Sequence, residues 1–318
     1  MKIIHKSAII VFLSIFFLSG RAISQSNSTY DFLRLDIGAR ASALGGSFNS
    51  NTGDVNSVFY NPAALSTLTD KQASAGFYKY LLDINSGHLS FSQRYKDMGY
   101  FGGGIRYINY GSFEKFDEQS NNLGTFSANE IAVSLGYSNM YKNDFHYGIN
   151  IKFIYSGIDE FSSTALAADL GILYTITESQ WNFGLSLLNA GFQLTEYGST
   201  KENLPLDLRL GVSKKLEHLP LRVHFELDDL ASSQEDLFDR FKNLSVGGEF
   251  DFSEYVKFRI GYNNRERQDL KTGSSLGIAG FSAGLGFKFM KNYSLDYAFN
   301  SLGNVGSAHR IDVGFNWK

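Results

Sequence analysis

The sequence predicts an all-β protein: a transmembrane antiparallel β-barrel of about fourteen strands, with an N-terminal segment plugging its lumen. Three observations carry this reading. From about Lys71 to the end, apolar and polar residues alternate with a period of two. The connections between those segments alternate short and long. Ahead of them lies "ARASALGGSFNSNTGDVNSVFYNPAAL", Ala39 to Leu65, rich in small residues and without a clean period.

In chain order, Lys2, His5 and Lys6 precede an apolar run from Ala8 to Leu18, followed by "SGRAISQ". Ala22 and Ser24 stand three and one residues before a cut at Gln25, so residues 1–24 read as a secretory signal peptide. The run is too short to span a bilayer as a helix, and an uncleaved anchor is the alternative. Residues 25–70 read as the plug segment, with a periplasmic tail as the alternative, and residues 71–318 as the barrel.

Within the barrel, "YVKFRIGYN" sets Val256, Phe258, Ile260 and Tyr262 against Lys257, Arg259 and Gly261. In "LRVHFELD", Leu221, Val223, Phe225 and Leu227 oppose Arg222, His224, Glu226 and Asp228. "IDVGFNW" ends the chain with Ile311, Val313, Phe315 and Trp317 on one face. Such alternation means strands with one apolar face. Fourteen segments centre near residues 76, 90, 104, 131, 150, 169, 185, 210, 224, 246, 259, 282, 295 and 311. "YKDMG", "TESQ" and "MKN" are tight turns, whereas "GSFEKFDEQSNNLG", "SGIDEFSST" and "AGFQLTEYGSTKENLP" are long, charged loops. Short turns on one side and long loops on the other suit an outer-membrane barrel.

A soluble β-sandwich would alternate too. Against it, an even strand count leaves both termini on the short-turn side, as closure without free edges requires. Tyr107, Tyr137, Tyr155, Tyr262 and Trp317 end apolar faces, where interfacial girdles belong. The opposite face carries Arg106, Arg209, Arg222, Glu226 and Arg259, which a lumen can hold.

The remaining chemistry mostly excludes. A net charge of −3 without a basic block argues against nucleic acid. With no Cys there is neither a disulfide nor a lipid-bearing thiol. The six His are scattered and none has a partner at ligand spacing, so no metal or cofactor is expected; His224 reads as a lumenal hydrogen-bonding residue. The Gly-rich runs at Gly102–Gly104 and at Gly280, Gly284 and Gly286 fall inside strands, where close packing against a plug or strand curvature explains them better than a phosphate loop. Ser307 and His309 form a pair from which hydrolase chemistry could be assembled, but such pairs arise by chance; no catalytic residue is assigned. Glu114, Asp117, Glu118, Asp159 and Glu160 read as solvated loop carboxylates.

"FLRLDIGARASALGGSF", Asp54 and "SVFYNPAAL" resemble the head of the PorV/PorQ family, which is itself similar to FadL-type fatty-acid channels. "GGIRYINYGSFEKFDEQ", "IKFIYSGIDEFSSTALAADLGILY" and "FRIGYNNRERQDLKTGSSLGIAGFSAGLGF" resemble the PorQ branch in particular. The resemblance implies a fourteen-stranded outer-membrane barrel of the type IX secretion system. It implies that the head folds inside the lumen around Gly45, Gly46, Asn61 and Pro62. It also implies a non-enzymatic anchor for a surface subunit like PorZ, beside a PorV-like barrel and a PorU-like sortase, in outer-membrane lipid. Loop residues Phe113, Phe116, Phe161, Phe192, Tyr197, Leu237 and Phe238 are the candidate partner contacts, with girdles reaching upward as the alternative. The competing function, from the FadL likeness, is transport of small hydrophobic molecules; the charged lumen face argues against it.

Overall fold

The computed structural model describes residues 30–142, 144–198, 201–232, 237–270, 278–290 and 292–317, the side chains of 237–239 excepted. The expected signal peptide, residues 1–24, and the side chains of Leu237 and Phe238 lie outside the described residues. Fourteen antiparallel strands close into a barrel, each pairing with its chain neighbours and β1 pairing with β14. They are β1 Lys71–Lys79, β2 Asn85–Tyr95, β3 Gly99–Phe116, β4 Asn122–Tyr141, β5 Phe145–Ile158, β6 Phe161–Ile176 and β7 Trp181–Thr195. The second half comprises β8 Asp207–Lys215, β9 Leu221–Leu227, β10 Leu244–Asp251, β11 Val256–Asn263, β12 Phe281–Phe289, β13 Tyr293–Ser301 and β14 Ser307–Trp317. All fourteen expected centres fall inside these strands. Two short helices, α1 Ala39–Ala43 and α2 Asn264–Asp269, and several 3₁₀ turns complete the fold.

Alternation places the side chains as expected. Along β11, Arg259 is buried inward while Ile260 is exposed outward; along β9, Glu226 is buried and Phe225 exposed. Aromatic residues crowd the short-turn end, where Trp317 lies 4.8 Å from Phe315 and Phe289 lies 5.7 Å from Tyr293. An apolar outer wall edged by such a girdle suits immersion in hydrocarbon. Closure leaves no unpaired edge, which lipid would penalise.

The wall is uneven. Strands β3 to β7 have 18, 20, 14, 16 and 15 residues. Strands β8 to β13 have only 7 to 9. Here the loop expectation is corrected. Most of "GSFEKFDEQSNNLG" and "SGIDEFSST" is strand: β3 runs on to Phe116, β4 begins at Asn122, and only Asp159 and Glu160 separate β5 from β6. Phe113, Phe116, Phe161 and Phe192 therefore sit on strands, and Tyr197 alone of the described candidates lies in a loop. The ladder continues through four irregularities: Lys115/Phe116 and Thr164/Ala165 near the outer ends, then Asn109/Ser112 in β3 and Ala168/Leu170 in β6. Opposite the last, Asn189 of β7 adopts φ 60° and donates its backbone N–H to Asp169 at 2.9 Å.

Candidate functional site: the lumen and the outer rim

Residues 30–70 lie against the inward face of the strands. They do so through small residues, because a backbone segment can approach a wall only where side chains are missing. A Cβ on Gly148 would fall 2.5 Å from the Pro62 carbonyl carbon, and one on Gly247 would fall 2.8 Å from the Leu44 carbonyl oxygen. Gly45, at φ 67°, leaves room for Tyr262, whose backbone a Cβ there would meet at 2.8 Å. Gly46, at φ 83°, clears the Asp36 carboxylate. Gly102 and Gly104 face Leu65 and Phe59, and Gly284 faces Ala43. The Gly-rich runs thus mark close packing, as expected, but Gly280, at φ 80°, lies in the turn before β12 and not inside a strand.

Asn61 and Asp54 organise the segment locally. The Asn61 side-chain oxygen accepts from Ala63 N–H at 3.1 Å, capping the turn that Pro62 opens, while its amide donates to the carbonyls of Asn49 and Ile172 at 3.0 Å each. Asp54 caps the preceding turn by accepting from Asn56 N–H at 2.9 Å.

Charged groups join segment to wall. Arg40 donates twice to Glu249 at 2.8 Å and once to Asp54 at 3.2 Å. Arg259 converges on the same Glu249 at 2.7 Å and also reaches Asp296. Arg209 pairs with Asp207 at 2.7 Å, and Glu226 accepts from Asn49 N–H at 2.8 Å. Asp312 accepts from Ala39 N–H at 2.6 Å, and Arg310 donates to Ser42 and Asn300. Arg106 donates to the carbonyls of Phe32 and Leu33 at 3.1 and 2.7 Å. At the outer end Arg34 grips Asp229 with two bonds of 3.2 Å.

The charged lumen face is therefore present, with Arg106, Arg209, Glu226 and Arg259 all partnered. Missed in the sequence were Glu249, Arg310, Asp312 and Asp169, although alternation held the signal: Glu249 shares parity with Ser245 and Gly247, and Asp312 lies opposite Ile311 and Val313. The His224 expectation is corrected. Its ring is fully buried, and neither nitrogen finds a hydrogen-bond partner among the described residues. Its cross-strand neighbours are Gly247, which offers no side chain, and Ser213, whose hydroxyl turns to the Ser50 carbonyl.

Apolar packing inside the barrel is protein against protein. Leu44, Phe48, Val58, Phe59, Tyr60, Leu65 and Leu68 form one cluster within the segment. Tyr30, Phe32 and Leu33 pack with Ile108, Ile154, Ala165 and Leu204 in another nearer the outer mouth. A polar cavity of about 470 Å³ opens among Arg40, Asp54, Asp70, Lys257, Asp296 and Trp317, at the short-turn end. The apolar groove, about 610 Å³, lies among Ala73, Leu89, Phe91, Phe101, Leu135 and Phe315, residues of the outward face. The β2–β3 ladder behind it is unbroken from Asn85↔Asn109 to Tyr95↔Gly99.

At the outer rim Phe113, Phe116, Phe161 and Phe192 are exposed, and Tyr197 is half-buried. Phe113 stacks on Phe126 at 5.3 Å. Asp159 pairs with Lys115. Asp117 accepts from the backbone N–H of Gln119 and Asn121, and the Asn121 bonds hold its carboxyl below the usual range. Ser307 Oγ stands 3.3 Å from His309 Nε2, but the other ring nitrogen meets the Tyr297 hydroxyl at 2.7 Å rather than a carboxylate. That pair lacks the acid that orients a hydrolytic histidine.

This architecture is a FadL-type barrel fold. It is similar to the deltaS2S3 mutant of the monoaromatic hydrocarbon channel TodX, at 12% identity and TM-score 0.60, over 88% of this chain and 98% of that one. It is also similar to the toluene transporter TbuX of Ralstonia pickettii, at 11% identity and TM-score 0.56, over 88% and 97%. A FadL homologue of Pseudomonas aeruginosa aligns at 11% identity and TM-score 0.54, over 88% and 98%. No family model and no curated protein matches the chain.

Proposed function

We propose that the chain is an outer-membrane barrel, exported on a cleaved signal peptide and stoppered by its own residues 25–70. In this reading it works without catalysis, as the membrane anchor of a PorZ-like surface subunit in the type IX attachment complex, beside a PorV-like barrel and a PorU-like sortase. One observation carries it: the lumen is occupied by the N-terminal segment, whose apolar side chains are spent on one another and on the wall. The unbroken β2–β3 ladder and the polarity of the inner cavity support the same reading. The assignment to type IX secretion rests on the sequence resemblance alone. Affinity purification of the tagged protein from outer membranes in mild detergent tests it. Co-elution of a large surface protein with sortase-like and PorV-like partners is the expected result; a lone barrel carrying lipid or fatty acid would sink it.

A second reading is passage of small hydrophobic molecules. It is the reading that the fold likeness favours, since the neighbours are hydrocarbon and toluene channels. It requires the segment around Gly45, Gly46 and Asn61 to move, and predicts uptake that depends on the protein. Equal uptake of a monoaromatic probe with and without the barrel would end it.

A further inference from the structure

We propose that the upper edge of the tall β3–β7 wall is a docking surface for a soluble protein presenting an apolar patch ringed by Lys and Arg. The proposal rests on the anchor reading and specifies the chemistry of its partner.

The argument begins with height. A strand rising about 3.4 Å per residue at a tilt of about 40° climbs about 2.6 Å along the barrel axis per residue. The nine residues of β8 thus climb ~23 Å, enough for an apolar band of about 25 Å. The twenty of β4 climb ~52 Å, so roughly half of that strand stands clear of the band. Counted from the short-turn ends of their strands, Phe113, Phe161, Phe116 and Leu123 lie at ~36, ~39, ~44 and ~47 Å. Phe192, at ~29 Å on β7, falls at the membrane boundary, where a girdle aromatic belongs.

Four large apolar side chains therefore stand in water at 43%, 58%, 52% and 58% exposure. On the lipid-facing wall such exposure needs no explanation; above it, neighbouring apolar side chains, such as Phe113 with its stacked partner Phe126 and Phe161 with its cross-strand partner Ile158, mark an interaction site. Their surroundings choose the partner. Glu114, Asp117, Glu118, Asp159 and Glu160 stand at the same edge beside Lys115, which is already paired with Asp159, and the β7–β8 connection adds Glu196 and Glu202 against Lys201. The surplus of negative charge repels an anionic lipid surface and steers a basic one.

The test places the photo-crosslinking analogue p-benzoylphenylalanine at 116 or 161 in the full-length protein in intact cells, with Leu135 in the lipid belt as control. The expected result is a protein adduct from 116 and 161 but not from 135, whose cross-linked peptide carries net positive charge. Its yield falls at least tenfold with Glu114→Lys plus Glu118→Lys. It falls again when salt shortens the Debye length from about 10 to about 3 Å. Phe116→Asp plus Phe161→Asp, with the analogue at 113, abolishes it. Heat-modifiable migration shows that each variant barrel is folded. Adducts only with lipopolysaccharide or a second copy, or a protein adduct indifferent to charge reversal, would overturn the proposal. If the charge-reversed barrel still co-purifies with its complex, the anchor reading stands and this surface falls; if the wild type co-purifies with no protein, both fall.

Discussion

The tall wall of β3–β7 and the short wall of β8–β14 hold the same N-terminal segment by different means. The tall wall offers mostly neutral or backbone-directed bonds: Asn150 donates to the Val58 carbonyl at 2.7 Å, and Ser138 to that of Ala63 at 2.9 Å. Of its buried charges, Lys152 closes on Asp169 at 2.9 Å, and Arg106 reaches the segment only through backbone carbonyls, those of Phe32 and Leu33. The short wall reaches inward with charge, through Glu249 to Arg40, Glu226 to Asn49 and Asp312 to Ala39. A buried charge left alone costs far more than a neutral bond left unmade. The short wall should therefore fix where the segment sits, while the tall wall accommodates it and uses its surplus height outside the membrane.

Several substitutions would break or sharpen that contrast, in decreasing order of effect. Gly261→Ala drives a methyl group into the Gly45 backbone, and neither side can yield. The segment should be expelled or the barrel fail to assemble, read by tryptic cleavage at Arg40 and loss of the heat-modifiable form. Gly248→Ala, whose Cβ would meet nothing nearer than 3.4 Å, should leave both unchanged. Glu249→Leu strands Arg40 and Arg259 without their shared carboxylate, at about 3–5 kcal/mol. Partial release of the segment, seen as ion conductance in planar bilayers absent from the wild type, is the expected outcome. On the tall wall, Asn150→Ala removes the bond to Val58 for about 1–2 kcal/mol and should produce no conductance. Equal conductance from Asn150→Ala and Glu249→Leu would erase the distinction between the walls.

The smallest effect is one of pH. Glu266, in α2 on the outer connection after β11, has its carboxyl pushed up to about 7 by burial and then by Asp36, against the pull of Arg310. Between about pH 4.5 and 7 the folded state keeps a proton that the unfolded chain releases, so this stabilisation is full in acid and lost as pH rises through 7. Melting of the wild type should fall modestly from pH 5 to 8, and Glu266→Gln should flatten the slope. An identical slope in the variant would remove Glu266 as its cause.

Much of this was legible along the chain. Alternation located the strands and separated Arg209, Glu226 and Arg259 from the outward Leu210, Phe225 and Ile260. It failed above the membrane for a physical reason. Where both faces meet water, selection for alternating polarity lapses, so "GSFEKF" reads as a loop although its backbone continues the β3 ladder. The candidate contacts Phe113 and Phe116 were found as apolar residues among charges, but as loop residues rather than members of a projecting wall.

The division has one origin. Period-two polarity is local, so the chain alone carried the strand count, the outward apolar face and the inward charges, and the Gly-rich head announced an irregular segment. Pairing is not local: Arg40 meets Glu249 and Arg34 meets Asp229 across about two hundred residues of wall. No spacing rule encodes such contacts, because they depend on closure between β1 and β14 and on the rotation of the segment inside it. Closure likewise decided that the lumen is filled and that five of the fourteen strands stand tall together.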